Sequence, residues 1–143
     1  AASICCYKEK DGVILSGADR ESRYVLKSSA AENNRTETEI LCTLGDGTTV
    51  AENYNVSAGG VDISLSGGEI SGFFIPVFDF DGAENTDITV KSGEITCGYK
   101  SSVCVYRFLG SVQGEEYIYN RNGRYRLMRV TGEKLHIEIK NRN

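Results

Sequence analysis

The sequence predicts an all-β domain: an antiparallel sandwich or small barrel of short strands, hairpin-rich, with one or two disulfides. Three observations predict it. Short runs of alternating apolar and polar residues recur along the chain, punctuated by Gly, Asn and Asp. No helical periodicity is sustained over about 11 residues. Five cysteines occur without paired C-x-x-C spacing and beside a single histidine, which suits disulfides better than zinc.

Taken in order, residues 23–27 (RYVLK) and 37–44 (ETEILCTL) read as strands, with Asp46-Gly47 as a turn. Residues 18–32 are the one segment read as able to hold a short helix. The stretch 62–71 (DISLSGGEIS) is echoed at 87–96 (DITVKSGEIT), sharing its Asp-Ile start and its Gly-Glu-Ile turn. Each copy reads as strand, glycine turn, strand. Thr131-Gly132-Glu133 repeats the turn before another alternating strand. Two clear copies fall short of the roughly three that a solenoid needs, so two similar hairpins are expected.

Residues 72–80 are the most apolar stretch. Alternation puts Phe73, Ile75 and Val77 on one face and Phe74, Phe78 and Phe80 on the other. Pro76 cannot donate a ladder hydrogen bond, so this strand is expected at an edge or a bulge, its second face covered by the chain's own loops or by a partner. Residues 117–119 and 125–130 flank Asn122-Gly123, a strong hairpin signal. Leu135, Ile137 and Ile139 alternate with His136, Glu138 and Lys140, which reads as a half-buried strand.

A chain of 143 residues fits a single domain, 1–143, and buries roughly two-thirds of its unfolded surface. Its 40% hydrophobic and 25% charged residues argue against disorder. The longest apolar run is far short of the roughly 20 residues that span a bilayer, so no membrane span is expected. The net charge of −4 argues against nucleic acid as a partner. The charge is uneven: residues 1–99 hold 7 basic and 16 acidic side chains, residues 100–143 hold 9 and 4. The basic excess centres on Arg121, Arg124, Arg126 and Arg129, which either solvate a strand pair or form a contact face for an acidic partner.

Cys97 and Cys104 bracket six residues between two strand-like runs, and a bridge there would staple a hairpin. Cys42 is expected to pair with Cys5, with Cys6 the open alternative. Two bridges imply a secreted or periplasmic home. The Ala1-Ala2-Ser3 start fits a mature protein after signal cleavage. Asn34 and Asn55 match the glycosylation acceptor pattern.

No catalytic motif is present: there is no G-x-S-x-G, H-E-x-x-H or P-loop. His136 is read as an outward, solvated strand residue. Asp79, Asp81, Glu69 and Glu94 are candidates for glycoside chemistry, but with 20 acids such pairings arise by default. The acidic stretch 79–87 departs from a calcium loop, since a glycine follows its second Asp and the closing Glu is missing. The chain is therefore expected to be no enzyme and to need no cofactor or metal.

Attention moves to surfaces. Clamped by its cysteines, the 97–104 hairpin would present Tyr99, Lys100, Ser101 and Ser102 on a backbone with little freedom left, which lowers the entropy cost of docking. With Arg121, Arg124 and Arg126 these form the expected partner-binding set. The leading expectation is a non-enzymatic protein-binding domain, an inhibitor or immunity protein that blocks a hydrolase active site with this loop. An adhesin or carbohydrate-binding surface module is one alternative, since eight tyrosines could stack on sugars, though the chain has no Trp. A pilin- or virion-like structural subunit that assembles through the Phe73–Phe80 edge is another.

Overall fold

A computed structural model describes residues 4–16, 29–32, 35–77, 87–98, 102–120 and 123–141. Among these residues the chain is all β, with thirteen strands and no helix. They are β1 (Cys5–Lys10), β2 (Val13–Ser16), β3 (Ser29–Glu32), β4 (Arg35–Thr43), β5 (Thr49–Ser57), β6 (Gly60–Ser66) and β7 (Gly72–Pro76). After them come β8 (Ile88–Lys91), β9 (Glu94–Gly98), β10 (Ser102–Phe108), β11 (Val112–Asn120), β12 (Gly123–Thr131) and β13 (Lys134–Asn141). The strands form two antiparallel sheets, one ordered β11-β12-β7-β1-β2 and the other β3-β4-β5-β6-β13-β10-β9-β8. Part of the segment read as helical, residues 29–32, is strand β3, and residues 17–28 lie outside the described set.

One core is built by both sheets. Phe73 and Ile75 of β7, with Met128 and Val130 of β12, pack against Ile63, Ile95, Tyr106, Phe108 and Leu135 of the larger sheet. Alternation supplies this core: in β13 Leu135 turns inward while His136 turns outward. The reverse face of the smaller sheet is also covered, where Cys5, Tyr7, Phe74 and Leu127 are buried together. The Tyr7 and Phe74 rings meet at 4.9 Å, tilted by 42°.

That double burial decides the position of β7. It is not an edge strand, as Pro76 led us to expect, but sits between β12 and β1. The physical reason lies in the hydrogen-bond pattern. Val77 N donates to Arg126 O at 3.0 Å, so the nitrogen of Pro76, one residue earlier, faces the β1 side. The β1 pairing begins at Cys5, opposite Phe74, two residues short of Pro76. Among the described residues the β1–β7 ladder ends at the Cys5–Phe74 pair, so Pro76 interrupts none of its pairs. Of the Phe73–Phe80 stretch expected to serve assembly, β7 is central, and residues 78–80 lie outside the described residues.

The repeated Gly-Glu turn has two uses, which corrects the expectation of two similar hairpins. At residues 92–93 it joins β8 to β9 in one sheet. At residues 67–71 it carries the chain from β6 in the larger sheet to β7 in the smaller one. The third echo, Gly132-Glu133, carries it back from β12 to β13. The two crossovers are bonded to each other: Gly132 N donates to Ser71 O at 3.1 Å, and Leu65 N donates to Glu133 O at 3.1 Å. The β11–β12 hairpin exists as expected, but its last pair is Asn120 with Gly123, so the register closes one residue earlier than an Asn122-Gly123 turn would place it. Asn55 lies inside β5, paired with Glu37 on one side and Asp62 on the other, not in an exposed loop.

Candidate functional site

The larger sheet carries a groove of about 640 Å³ where β6, β13 and β10 run side by side beneath the β8–β9 turn. Register builds it. Asp62 on β6 is the direct partner of His136 on β13, and His136 is the direct partner of Arg107 on β10. One row of three adjacent strands thus presents carboxylate, imidazole and guanidinium. The neighbouring row pairs Ser64 with Lys134. Ser92 and Gly93 of the turn close one end, and Leu109 stands at the rim with 94% of its surface exposed.

The side chains in that row hold one another. His136 Nδ1 lies 2.7 Å from Asp62 Oδ1. A carboxylate on one ring nitrogen fixes the imidazole's orientation and directs the other nitrogen outward. Arg107 Nη1 donates to Glu138 Oε2 at 2.8 Å, and its Nε donates to Glu94 Oε2 at 3.4 Å. This holds the Glu138 carboxyl below the usual carboxylate range and the Arg107 guanidinium above its ordinary value. Lys134 has no ion-pair partner among the described residues. Among the described residues the groove therefore offers Lys134 without an ion-pair partner, a fixed imidazole, hydroxyls and a leucine. Among the described residues no hydroxyl or thiol is hydrogen-bonded to His136, and no three His, Cys, Asp or Glu side chains gather where a metal could sit. Sequence reading dismissed His136 as solvated. Its partner lies 74 residues away, and no local signal announces that pairing.

Most of the expected partner-binding set lies outside the described residues. Tyr99, Lys100 and Ser101 lie outside the described residues, as does Arg121. Ser102 is buried at the start of β10 and is not a tip residue. Arg124 is in β12, with its side chain outside the description. Arg126 is already engaged: its Nε donates to Glu115 Oε2 at 3.0 Å, its Nη2 meets Glu115 Oε1, and the pairing holds the Glu115 carboxyl below its usual range. Arg129, three residues on, turns to the opposite face, where its guanidinium lies 5.6 Å from the Tyr7 ring centroid. Positions three apart on a strand point opposite ways, so Arg126 and Arg129 do not share one basic face.

The expected disulfides are likewise corrected: all five cysteines are buried free thiols. Cys5 and Cys42 cannot be partners without rebuilding β1. Cys5 faces Tyr7 and Phe74, whereas Cys42 packs with Cys6 on the other face of that strand. Cys97 and Cys104 are direct partners across β9 and β10. Burial, and beyond it the neighbouring Cys104, pushes the Cys97 thiol up to about 12. Burial also raises Cys104. Thiols held neutral in this way are inert toward exchange while the sheet is intact.

Comparison with models of protein families, with curated proteins and with solved structures found no match.

Proposed function

We propose that this chain is a non-enzymatic protein-binding domain whose groove receives an extended partner segment bearing a carboxylate and an apolar side chain. The observation that carries this reading is the conjunction at one groove of exposed Leu109 with Lys134, a cation that no described residue neutralises. The leucine meets the apolar side chain, Lys134 meets the carboxylate, and the fixed imidazole of His136 and the serines accept or donate the remaining bonds. Aromatic or aliphatic contact beside one well-placed charge is a usual composition for a recognition site.

The test is an array of peptides of about ten residues, with Leu or Phe flanked by Asp or Glu, set against matched peptides flanked by Lys. The acidic series binds, and Lys134→Glu or Leu109→Asp weakens it about tenfold while thermal stability stays unchanged. No binding in the acidic series, or binding untouched by both substitutions, rejects the groove as the docking site.

A second reading keeps the 97–104 hairpin as an inhibitory tip that blocks a hydrolase. It is favoured by one observation: β9 and β10 stay paired up to Gly98 and Val103, so only a short connection joins them. Closure of Cys97 onto Cys104 in an oxidising, secreted or periplasmic setting would fix that connection. Ser101→Arg or Tyr99→Ala would then weaken a complex with the target enzyme without unfolding the domain, and normal inhibition by both variants rejects the loop.

A further inference from the structure

We propose that Cys6 and Cys42 are an oxidation site, closed by a disulfide that ties the two sheets together while adjacent Cys5 remains a thiol. The two residues come from different sheets: Cys6 lies on β1 and Cys42 on β4. Their side chains pack in one buried cluster with Leu44 and Val50. A second tie fixes β1 over this end of the larger sheet: Lys8 Nζ lies 3.4 Å from Asp46 Oδ2. Lys8 is two residues beyond Cys6 and so shares its face. Cys5 points the other way, toward Tyr7, Phe74 and Leu127. Alternation along β1 therefore selects the partner that the sequence left open.

The oxidant is a small disulfide such as oxidised glutathione. One cysteine, as thiolate, attacks a glutathione sulfur; the glutathione S–S bond breaks and one glutathione leaves as a thiolate, which takes up a proton. The second cysteine loses its proton to solvent and attacks the mixed disulfide. The second glutathione leaves in the same way. Two protein thiols are oxidised to one disulfide, and one glutathione disulfide is reduced to two thiols.

The folded site resists this chemistry. The neighbouring Cys42 thiol, burial and the nearby Glu52 carboxylate all keep the Cys6 thiol protonated. Glu52 is itself 4% exposed and accepts a hydrogen bond from Tyr54 at 3.0 Å. Closure therefore belongs to folding, before β1 docks, and the finished bond is sheltered from reductants.

Trypsin cuts after Lys8, Arg35 and Lys91, which puts Cys5 and Cys6 in peptide 1–8 and Cys42 alone in peptide 36–91. The full chain is refolded in reduced and oxidised glutathione, its remaining thiols are alkylated, and the digest is mapped without reduction. The expected result is peptide 1–8 joined to 36–91 in the parent chain and in Cys5→Ser, but not in Cys6→Ser. Fragmentation between Cys5 and Cys6 in the parent peptide assigns the sulfur even if Cys6→Ser fails to fold. The linked Cys5→Ser protein should melt about 10 °C above its reduced form. Joining through Cys5, or no link between these peptides after oxidative refolding, overturns the proposal. Folded, reduced protein given oxidised glutathione should form the link at least about 100-fold more slowly than refolding protein, and equal rates overturn the claim that closure precedes docking.

Discussion

His136 Nδ1 lies 2.7 Å from Asp62 Oδ1, and the two residues face each other directly across β6 and β13. The pair is partly exposed, at 31% for the His136 side chain and 59% for Asp62, so water competes for both. Its weight is in orientation more than in stability. Asp62→Asn is expected to cost about 0.5 kcal/mol in urea denaturation. The same variant should free the imidazole to rotate, visible as averaging of its ring proton shifts. A loss above about 2 kcal/mol would mean that the pair holds the sheet together as well.

Gly72 is required by close approach. A Cβ there would lie 1.8 Å from Val130 O, at the point where the chain enters the smaller sheet beside β12. Backbone, not a flexible side-chain end, would have to yield. Gly72→Ala should therefore cost at least about 2 kcal/mol, read as a fall in denaturation midpoint. An unchanged midpoint would show that β7 and β12 can part without loss.

Pro76 and Ile75 give a contrast within one strand. Because Pro76 lies past the last described pair between β1 and β7, Pro76→Ala should shift stability by less than about 1 kcal/mol. Ile75 is fully buried in the shared core, so Ile75→Ala should cost about 2–5 kcal/mol. Equal losses at the two positions would contradict the register given for β7.

Acid should loosen the joint between Lys8 and the turn that holds Asp46. The Thr48 side-chain hydroxyl, the Thr48 backbone N–H at 3.0 Å and Lys8 together hold the Asp46 carboxyl down at about 2, against an ordinary value of 3.8. The folded-state value is depressed, so its contribution is complete above the ordinary value and is lost as pH falls toward about 2. Urea midpoints of the parent chain and Asp46→Asn should converge over that interval. A gap that stays constant from neutral pH to about 2 would remove Asp46 from the account.

Much of the fold could be read locally because its signals are local. Alternation at 135–140 and in 37–44 gave β13 and most of β4, and Asp46-Gly47 gave a turn whose glycine has φ of +84°. The same signal was present and unread at Asp11-Gly12, where φ values of +53° and +77° fit the tight turn joining β1 to β2. What could not be read was which sheet a strand would join. Gly-Glu makes a hairpin at Gly93-Glu94 and a crossover at Gly132-Glu133, so the turn does not decide. The destination follows from burial of what comes next, and Phe73 and Phe74 need cover on both faces. The groove was hidden for a related reason. Asp62, Arg107 and His136 are unremarkable in their own neighbourhoods and become a row only through long-range register.

The paired crossovers bear on synthesis. Strand β6 finds its second neighbour only in β13, and β7 finds its own only in β12, so the middle of each sheet waits for the last quarter of the chain. Until that region has been made, both strands present an open edge, and β7 carries Phe73 and Phe74. A nascent chain of this design is exposed to wrong pairings from the emergence of β6 until that of β13. Its dependence on chaperones should be greatest just before β12 and β13 emerge.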